Sequence, residues 1–409
     1  MSERRFATDN KNNELSFEDV FSESNIAYAT QLIVRKNSMP GLDGISSKRL
    51  PEYWEANRKR IQHELENDTY NPTPCKMYFK AKPGKKEKRQ IAIYTTLDRM
   101  IQQCIRIEAE QVYAQRFHPK SYGFIIGRGT IPAIEQCLSY MNRGMVHIVD
   151  ADIRKCFDKI KHRIILKKLN PNQMDPRIFH LFSKYLKTPG IVGRRILYHR
   201  IGLPQGSCLS PLLANITLNG LDWFLNKEHI PFVRYADDLL LFAYEEKKAS
   251  SYQDKLDDYL RSELGLKLNK EKTRICKADE VEFLGYGFKK ENGVYGLSVP
   301  DRKREKFRKR MELYLNRKSF QPKELIEMIG AVNRGWIGYY QRVNANEMIP
   351  FLNEMDAEEL SELKLKLTER KANTNGLNED LEEDKRFVTL TDWYYELDER
   401  RNHLKNSKT

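Results

Sequence analysis

The chain has 409 residues, 40% hydrophobic, 11% aromatic and 31% charged, which excludes a disordered chain and leaves room for two or three cores. Its 71 Lys and Arg against 57 Asp and Glu give a formal charge of +14, and that excess predicts a polyanionic partner. No run of ~18 apolar residues exists and the opening MSERRFATDNKNNELSF lacks the apolar core of a secretory signal, so no membrane association is expected and the expected location is cytoplasmic.

Charge is unevenly placed. Residues 351–409 carry 10 basic and 15 acidic side chains, a balance of −5 that leaves +19 for the rest. Such a segment is expected to dock on the basic body or to mediate contacts between copies, not to bind nucleic acid along its length. The six cysteines, Cys75, Cys104, Cys137, Cys156, Cys208 and Cys276, are scattered without a C-x-x-C pair. That spacing predicts reduced, buried thiols and disfavours both a zinc site and a disulfide framework.

Taken in chain order, residues 1–70 are expected to be helical in places, with breaks at Pro40-Gly41 and Pro51. Residues 76–89, KMYFKAKPGKKEKR, hold seven basic residues and one acidic. KMYFK and RQIAIY alternate as the strands of a half-buried hairpin, with Lys82-Pro83-Gly84-Lys85 as its turn. Met100, Ile101, Cys104, Ile105 and Ala109 fall at helical spacing and predict a helix over about 97–117. MVHIVDADI (145–153) reads as a central strand, and PFVRYADDLLLFAY (231–244) as one that folds back at Ala236-Asp237. Between them, Ser210-Pro211 reads as an N-cap and first-turn proline opening a helix with Leu213, Ile216, Leu221 and Phe224 on its apolar face. DRKREKFRKR (301–310), seven basic to two acidic, opens a helical domain, and acidic helical stretches surround a loop at KANTNGLNED near the end.

The chemistry lies in carboxylates on apolar strands, where a charge needs compensation. Asp152 ends MVHIVDADI and shares a face with Asp150, because strand side chains alternate with period two. Asp237-Asp238 sit at the tip of the second strand pair. An Asp-Asp in a turn is ordinarily solvated turn chemistry, but apolar residues flank this one on both sides. Two strands that bring carboxylates to one point make a hard oxygen site suited to Mg²⁺ and phosphates, and two such ions can clamp an in-line phosphoryl displacement. Asp158, six residues after Asp152, reads as an organiser of the turn into the next helix.

At this point the residues carry a resemblance. Tyr235-Ala236-Asp237-Asp238 resembles the Y-x-D-D hairpin of reverse transcriptases, and the other motifs follow in that family's order. Asp152 with Phe157 resembles the first palm motif, and Gly202-Leu203-Pro204-Gln205-Gly206-Ser207 with Ser210-Pro211 the P-Q-G turn before the palm helix. Gly265-Leu266-Lys267-Leu268-Asn269 with Glu271-Lys272-Thr273, then Phe283-Leu284-Gly285, resemble the later palm motifs. Lys36-Asn37, Gly41-Leu42-Asp43-Gly44, Asp98-Arg99, Ser121-Tyr122-Gly123-Phe124 and Arg334-Gly335-Trp336-Ile337 with Tyr339-Tyr340 resemble the group II intron-like bacterial branch. The resemblance spans roughly residues 36–340.

It implies an α+β right-hand polymerase: a helical segment over 1–70, fingers over 71–145, and a palm over 146–290 with an inserted fingers part at about 165–200. A helical thumb over 291–350 and the acidic segment follow. Asp152, Asp237 and Asp238, with the main-chain carbonyl of Ile153, would hold two Mg²⁺ ions. Lys80, or Lys82 on the same face, and Arg89 would clamp the triphosphate. Phe157 would exclude a 2′-hydroxyl, Gln205 and Gly206 would approach template and incoming base, and Lys272 would protonate pyrophosphate. Arg302, Lys303, Arg304, Lys306, Arg308 and Trp336 would grip the duplex.

The expected reaction is RNA-directed DNA synthesis from deoxynucleoside triphosphates, copying a cognate structured noncoding RNA into a DNA product, in a standalone enzyme serving antiviral defence. A splicing helper that binds intron RNA and a template-independent DNA polymerase stay open. The pattern departs from intron enzymes in lacking the spacing of an H-N-H nuclease, in Ser207 after Gln205-Gly206, and in the acidic terminal segment.

Overall fold

Side-chain caps start the first helices: Ser16 accepts from the Asp19 amide to open α1 (Phe17–Val20), and Ser22 accepts from Asn25 to open α2 (Glu23–Lys36). The computed structural model describes residues 14–81, 88–316, 322–371, 389–391 and 393. Pro51 begins α3 (Leu50–Glu66) instead of breaking a helix, because a first-turn proline loses no hydrogen bond. The expected hairpin forms as β1 (Cys75–Ala81) antiparallel to β2 (Lys88–Ile93); Lys82 and its turn lie outside the described residues. The next helix, α4 (Thr96–Ala114), is capped by Thr95 and buries the expected Met100, Ile101, Cys104, Ile105 and Ala109.

After α5 (Thr130–Met141), β3 (His147–Asp152) enters the core. Short helices α6 (Cys156–Lys159) and α7 (His162–Lys168) and the strongly amphipathic α8 (Pro176–Lys187) lead to a small hairpin, β4 (Gly190–Val192) and β5 (Arg195–Leu197). That hairpin returns to the earlier strands. β4 pairs parallel with β1, giving a four-stranded sheet in the order β2-β1-β4-β5.

The buried helix α9 (Ser210–Lys227) precedes β6 (Phe232–Tyr235) and β7 (Asp238–Ala243), and α10 (Glu246–Tyr259) and β8 (Arg274–Lys277) follow. The second sheet runs β6-β7-β3-β8, with α10 packed on β3 and β7. Leu239 to Ala243 of β7 are all buried, as are Ile148, Val149 and Ala151 of β3, which explains why both read as apolar runs. Ser210 departs from its expected role. It is the first helical residue, Leu209 stands at the cap, and the Ser210 hydroxyl donates to the Pro204 carbonyl at 2.7 Å.

The chain divides into two units, Met1–Cys276 and Lys277–Thr409. The second holds the sheet β11-β10-β9, built from β9 (Glu282–Phe283), β10 (Tyr286–Glu291) and β11 (Val294–Ser298), followed by α11 (Asp301–Leu315), α12 (Pro322–Tyr340) and α13 (Ala345–Lys371). Two expected boundaries therefore move. The one after residue 290 would cut β10 away from its pairing with β11, and the one after residue 350 falls inside α13, which continues through Pro350. Of the acidic segment's expected loop, residues 372–380 lie outside the described residues. Asp356 is buried and accepts from the amides of Leu390 at 2.7 Å and Thr391 at 2.9 Å. Among the described residues no helix is long and apolar enough to cross a membrane.

Candidate active site

The pairing of β3 with β7 places Asp152 directly opposite Asp238, and that of β6 with β7 places Tyr235 opposite Asp238. Residues paired this way share a face with side chains ~5 Å apart at Cβ, and like charges so placed repel. Ala236 and Asp237 close the β6–β7 turn, with Ala236 in the left-handed region at φ +58°. The structure thus brings together the three aspartates singled out from sequence, and the register does it.

Asp238 and Asp237 feel the crowding. Desolvation first, then the like charges of Asp237, Asp152 and Asp150, lift Asp238 to about 6, while Lys272 opposes. Desolvation and Asp152 raise Asp237 as well, against its own backbone amide, Arg234 and Lys272. Asp150 is raised by burial and offset by Arg274, whose Nε lies 3.4 Å from it.

Asp152 is held by the turn that follows α10. Asn269 Nδ2 donates to Oδ2 at 2.8 Å and Lys272 Nζ to Oδ1 at 3.0 Å, while the Asn269 amide donates to the Asp152 carbonyl at 2.8 Å. Lys272, expected on pyrophosphate, thus sits on the Asp152 carboxylate. Ile153, the expected carbonyl ligand, is bridged antiparallel to Leu268. Among the described residues no three His, Cys, Asp or Glu side chains form a ready metal cage. The cysteines are free thiols, all but the partly buried Cys208 inside the fold.

The P-Q-G turn joins this site to the fingers strands. The Ala92 amide of β2 donates to the Gln205 carbonyl at 2.6 Å, and Gln205 Nε2 donates to Asp158 at 3.2 Å. Asp158 thereby ties the P-Q-G turn to α6, which carries the half-buried Phe157; the Leu203 amide donates to the Phe157 carbonyl at 2.6 Å. At φ +113° a Cβ on Gly206 would come within 2.2 Å of the Ala92 carbonyl oxygen, so its close approach to β2 already demands glycine. On the fingers hairpin Lys80 stands opposite Arg89, both exposed, so the two cations share one face.

In the second unit most of the side chains expected to grip the duplex have partners of their own. Arg302 pairs with Glu282 and Arg304 with Glu347, while Arg308 meets Glu354 at 2.9 Å and Glu358 at 3.8 Å. These arginines are thus committed to carboxylates within their own unit, leaving Lys306 exposed and Lys303 partly exposed. Trp336 is half-buried and packs against Phe307 and Tyr340, each with centroids 4.7 Å away.

Sequence reasoning missed Arg234, Asp222 and Asn215. Arg234 is wholly buried and forks onto Asp222 at 2.6 and 2.7 Å. Its signal was available, since an arginine inside FVRYADDLLLF cannot be buried without a paired acid. The Ser121-Tyr122-Gly123-Phe124 motif lies beside it. The Tyr122 amide donates to the Arg234 carbonyl at 2.9 Å, and a Cβ on Gly123 would meet the Ala236 nitrogen at 2.5 Å.

Residues 80–288 match the reverse transcriptase (RNA-dependent DNA polymerase) family. The chain belongs to that family. Residues 304–374, a stretch that begins within α11 and includes all of α12 and α13, match the maturase-specific domain of group II introns, which places the reverse transcriptase in the intron-like branch. It is similar to the group II intron-encoded protein LtrA of Lactococcus lactis subsp. cremoris, 28% identical over 279 residues covering 65% of this chain and 46% of that protein. Protein YkfC of Escherichia coli K12 is 25% identical over 312 residues, 66% of this chain and 82% of that one. This chain therefore spans about half the length of LtrA. A solved telomerase from Candida albicans, in complex with a fragment of telomeric RNA, aligns with a TM-score of 0.46 at 12% identity over 84% of this chain and 67% of that one. The fold is the right-hand polymerase of the family, whose polymerases use divalent metal ions.

Proposed function

We propose that the chain is an RNA-directed DNA polymerase that extends a primer 3′ end with deoxynucleotides, copying a structured RNA that it binds. The observation that carries this is the register setting Asp152 opposite Asp238 beside Asp237, a concentration of negative charge that Lys272 neutralises only in part. The donor set fits Mg²⁺, being carboxylate oxygens too few to cage an ion without substrate phosphates. Asp152, Asp237 and Asp238, with the Ile153 carbonyl, would hold two such ions. When bound they would neutralise charge on the attacking and leaving oxygens.

The chain's own residues supply position. Lys80 and Arg89, like charges in register, are relieved by an anion between them and would take the triphosphate. Phe157 would lie against the sugar, where its ring leaves no room for a 2′-hydroxyl. Gln205, fixed by Asp158, would face the template and incoming base. Lys272, already beside Asp152, lies where it could move to the leaving phosphates.

The test is primer extension on an RNA template by Asp237→Ala/Asp238→Ala. Loss of the carboxylates removes several kcal/mol of transition-state stabilisation, so incorporation falls on the order of 10³-fold or more while RNA affinity stays. Incorporation at the wild-type rate removes the polymerase reading. Sequencing of RNA that copurifies, and of the DNA made from it, identifies the template; DNA unrelated to that RNA indicates untemplated synthesis. A second reading, an intron RNA-binding splicing helper, is favoured by the maturase-specific match over 304–374. It predicts intron splicing that survives the same double substitution.

A further inference from the structure

Arg234 lies on β6 two residues before the catalytic turn and touches neither nucleotide nor nucleic acid in the proposed reaction. All three of its guanidinium nitrogens donate. Nε and Nη2 fork onto Asp222 at 2.7 and 2.6 Å, while Nη1 donates to Asn215 Oδ1 at 2.8 Å and to the Ala236 carbonyl at 2.7 Å. Asp222 and Asn215 are two turns apart on α9, and Asn215 Nδ2 in turn donates to the Gly123 carbonyl at 2.7 Å. One buried cation therefore connects the long palm helix, the 121–124 loop and the turn that bears Asp237.

Energetics make this placement informative. A buried ion pair is usually no more stabilising than apolar residues of the same volume, so its presence has to be explained by the geometry it imposes. Ala236 holds φ +58°, a region that a residue with a Cβ occupies only when its surroundings enforce it. The carbonyl that Arg234 grips belongs to the peptide joining Ala236 to Asp237, so rotation of that peptide would swing the Asp237 carboxylate. Lysine cannot replace this grip, because a single ammonium lacks the planar fork.

We propose that Arg234 is a positioning residue for primer extension: anchored to α9 through Asp222 and Asn215, it fixes the Ala236 carbonyl and with it the Asp237 carboxylate. The inference rests on the polymerase reading. Three variants of the full chain test it by kcat and nucleotide KM in primer extension, with thermal unfolding alongside: Arg234→Met/Asp222→Leu, Arg234→Lys, and Arg234→Lys/Ala236→Gly. The first removes both charges together and should unfold near the wild-type temperature. Its kcat should fall on the order of 10²-fold, the usual effect of a misplaced reacting group, with KM within about threefold. Arg234→Lys should lose less, and Ala236→Gly should restore part of that loss, because glycine adopts a left-handed conformation without being held there.

Wild-type kcat in a folded Arg234→Met/Asp222→Leu protein overturns the proposal. So does a loss in Arg234→Lys that Ala236→Gly leaves untouched, which assigns Arg234 to packing alone. Should Arg234→Met/Asp222→Leu fail to fold, the two lysine variants decide the question by themselves. A wild-type protein that extends no primer is a different failure, since it removes the polymerase reading and this inference with it.

Discussion

Around the β6–β7 turn, carboxylates are gathered against one another, whereas along α11 arginines are covered by carboxylates of the same unit. Asp152, Asp237 and Asp238 have Lys272 as their near cation, and Asp238 is pushed up to about 6. Arg302, Arg304 and Arg308 meet Glu282, Glu347 and Glu354. The difference separates a charge that waits for a ligand from a charge already satisfied. Seven cations in ten residues look like a phosphate grip when only the sequence is read, but three of the arginines meet carboxylates from distant positions. An uncompensated cluster is the stronger sign of a binding site.

The sharpest way to break this contrast lies inside the first unit, where one aspartate is compensated and another is not. Asp222→Asn leaves the Arg234 guanidinium buried without its counter-ion and should cost about 3–5 kcal/mol in denaturant unfolding. A loss under about 1 kcal/mol would mean that burial alone does not identify a committed charge. Within the same cleft, Phe157→Ala should lower discrimination against ribonucleotides by on the order of tenfold in competitive incorporation. An unchanged ratio makes Phe157 a core residue.

Asp238→Asn should act in the opposite sense to Asp222→Asn. The folded pKa of Asp238 is raised from 3.8 to about 6, so the fold prefers the protonated form. Its contribution to stability is complete below the unfolded value and is lost as pH rises through about 6. In metal-free protein at pH 7.5 the variant should therefore be more stable, by about 1 kcal/mol once screening at this exposed residue is allowed for. At pH 4 the two proteins should melt together. An advantage that persists at pH 4 would assign it to packing.

Much of this site was legible because its signals are local. Asp152, Asp237 and Asp238 stand on apolar strands, and the P-Q-G and Y-x-D-D segments each occupy a few consecutive residues. The strands, α4 and the fingers hairpin were legible for the same reason, since periodicity is a property of neighbours. What stayed hidden was pairing across the chain. Gly206 meets Ala92, Asn269 holds Asp152, and Arg308 meets Glu354, each over tens of residues or more. The surroundings of Trp336 were hidden for a related reason, since its motif fixes its identity while the rings of Phe307 and Tyr340 that pack against it come from other positions.

The smallest expected effect concerns α11. Glu354→Gln/Glu358→Gln removes the carboxylates at 2.9 and 3.8 Å from Arg308, leaving Glu305 at 3.6 Å, without touching the helix's own cations. If the α11 surface meets RNA, the released guanidinium adds at most one phosphate contact. The plot of log affinity against log salt should then steepen by less than about 0.9, and binding at low salt should strengthen only a few-fold. Arg308→Ala in the otherwise native chain should leave that slope unchanged, because the native arginine is already neutralised. A slope that falls on Arg308→Ala would show that RNA displaces Glu354 when it binds, and the contrast between a waiting charge and a satisfied one would then fail for α11.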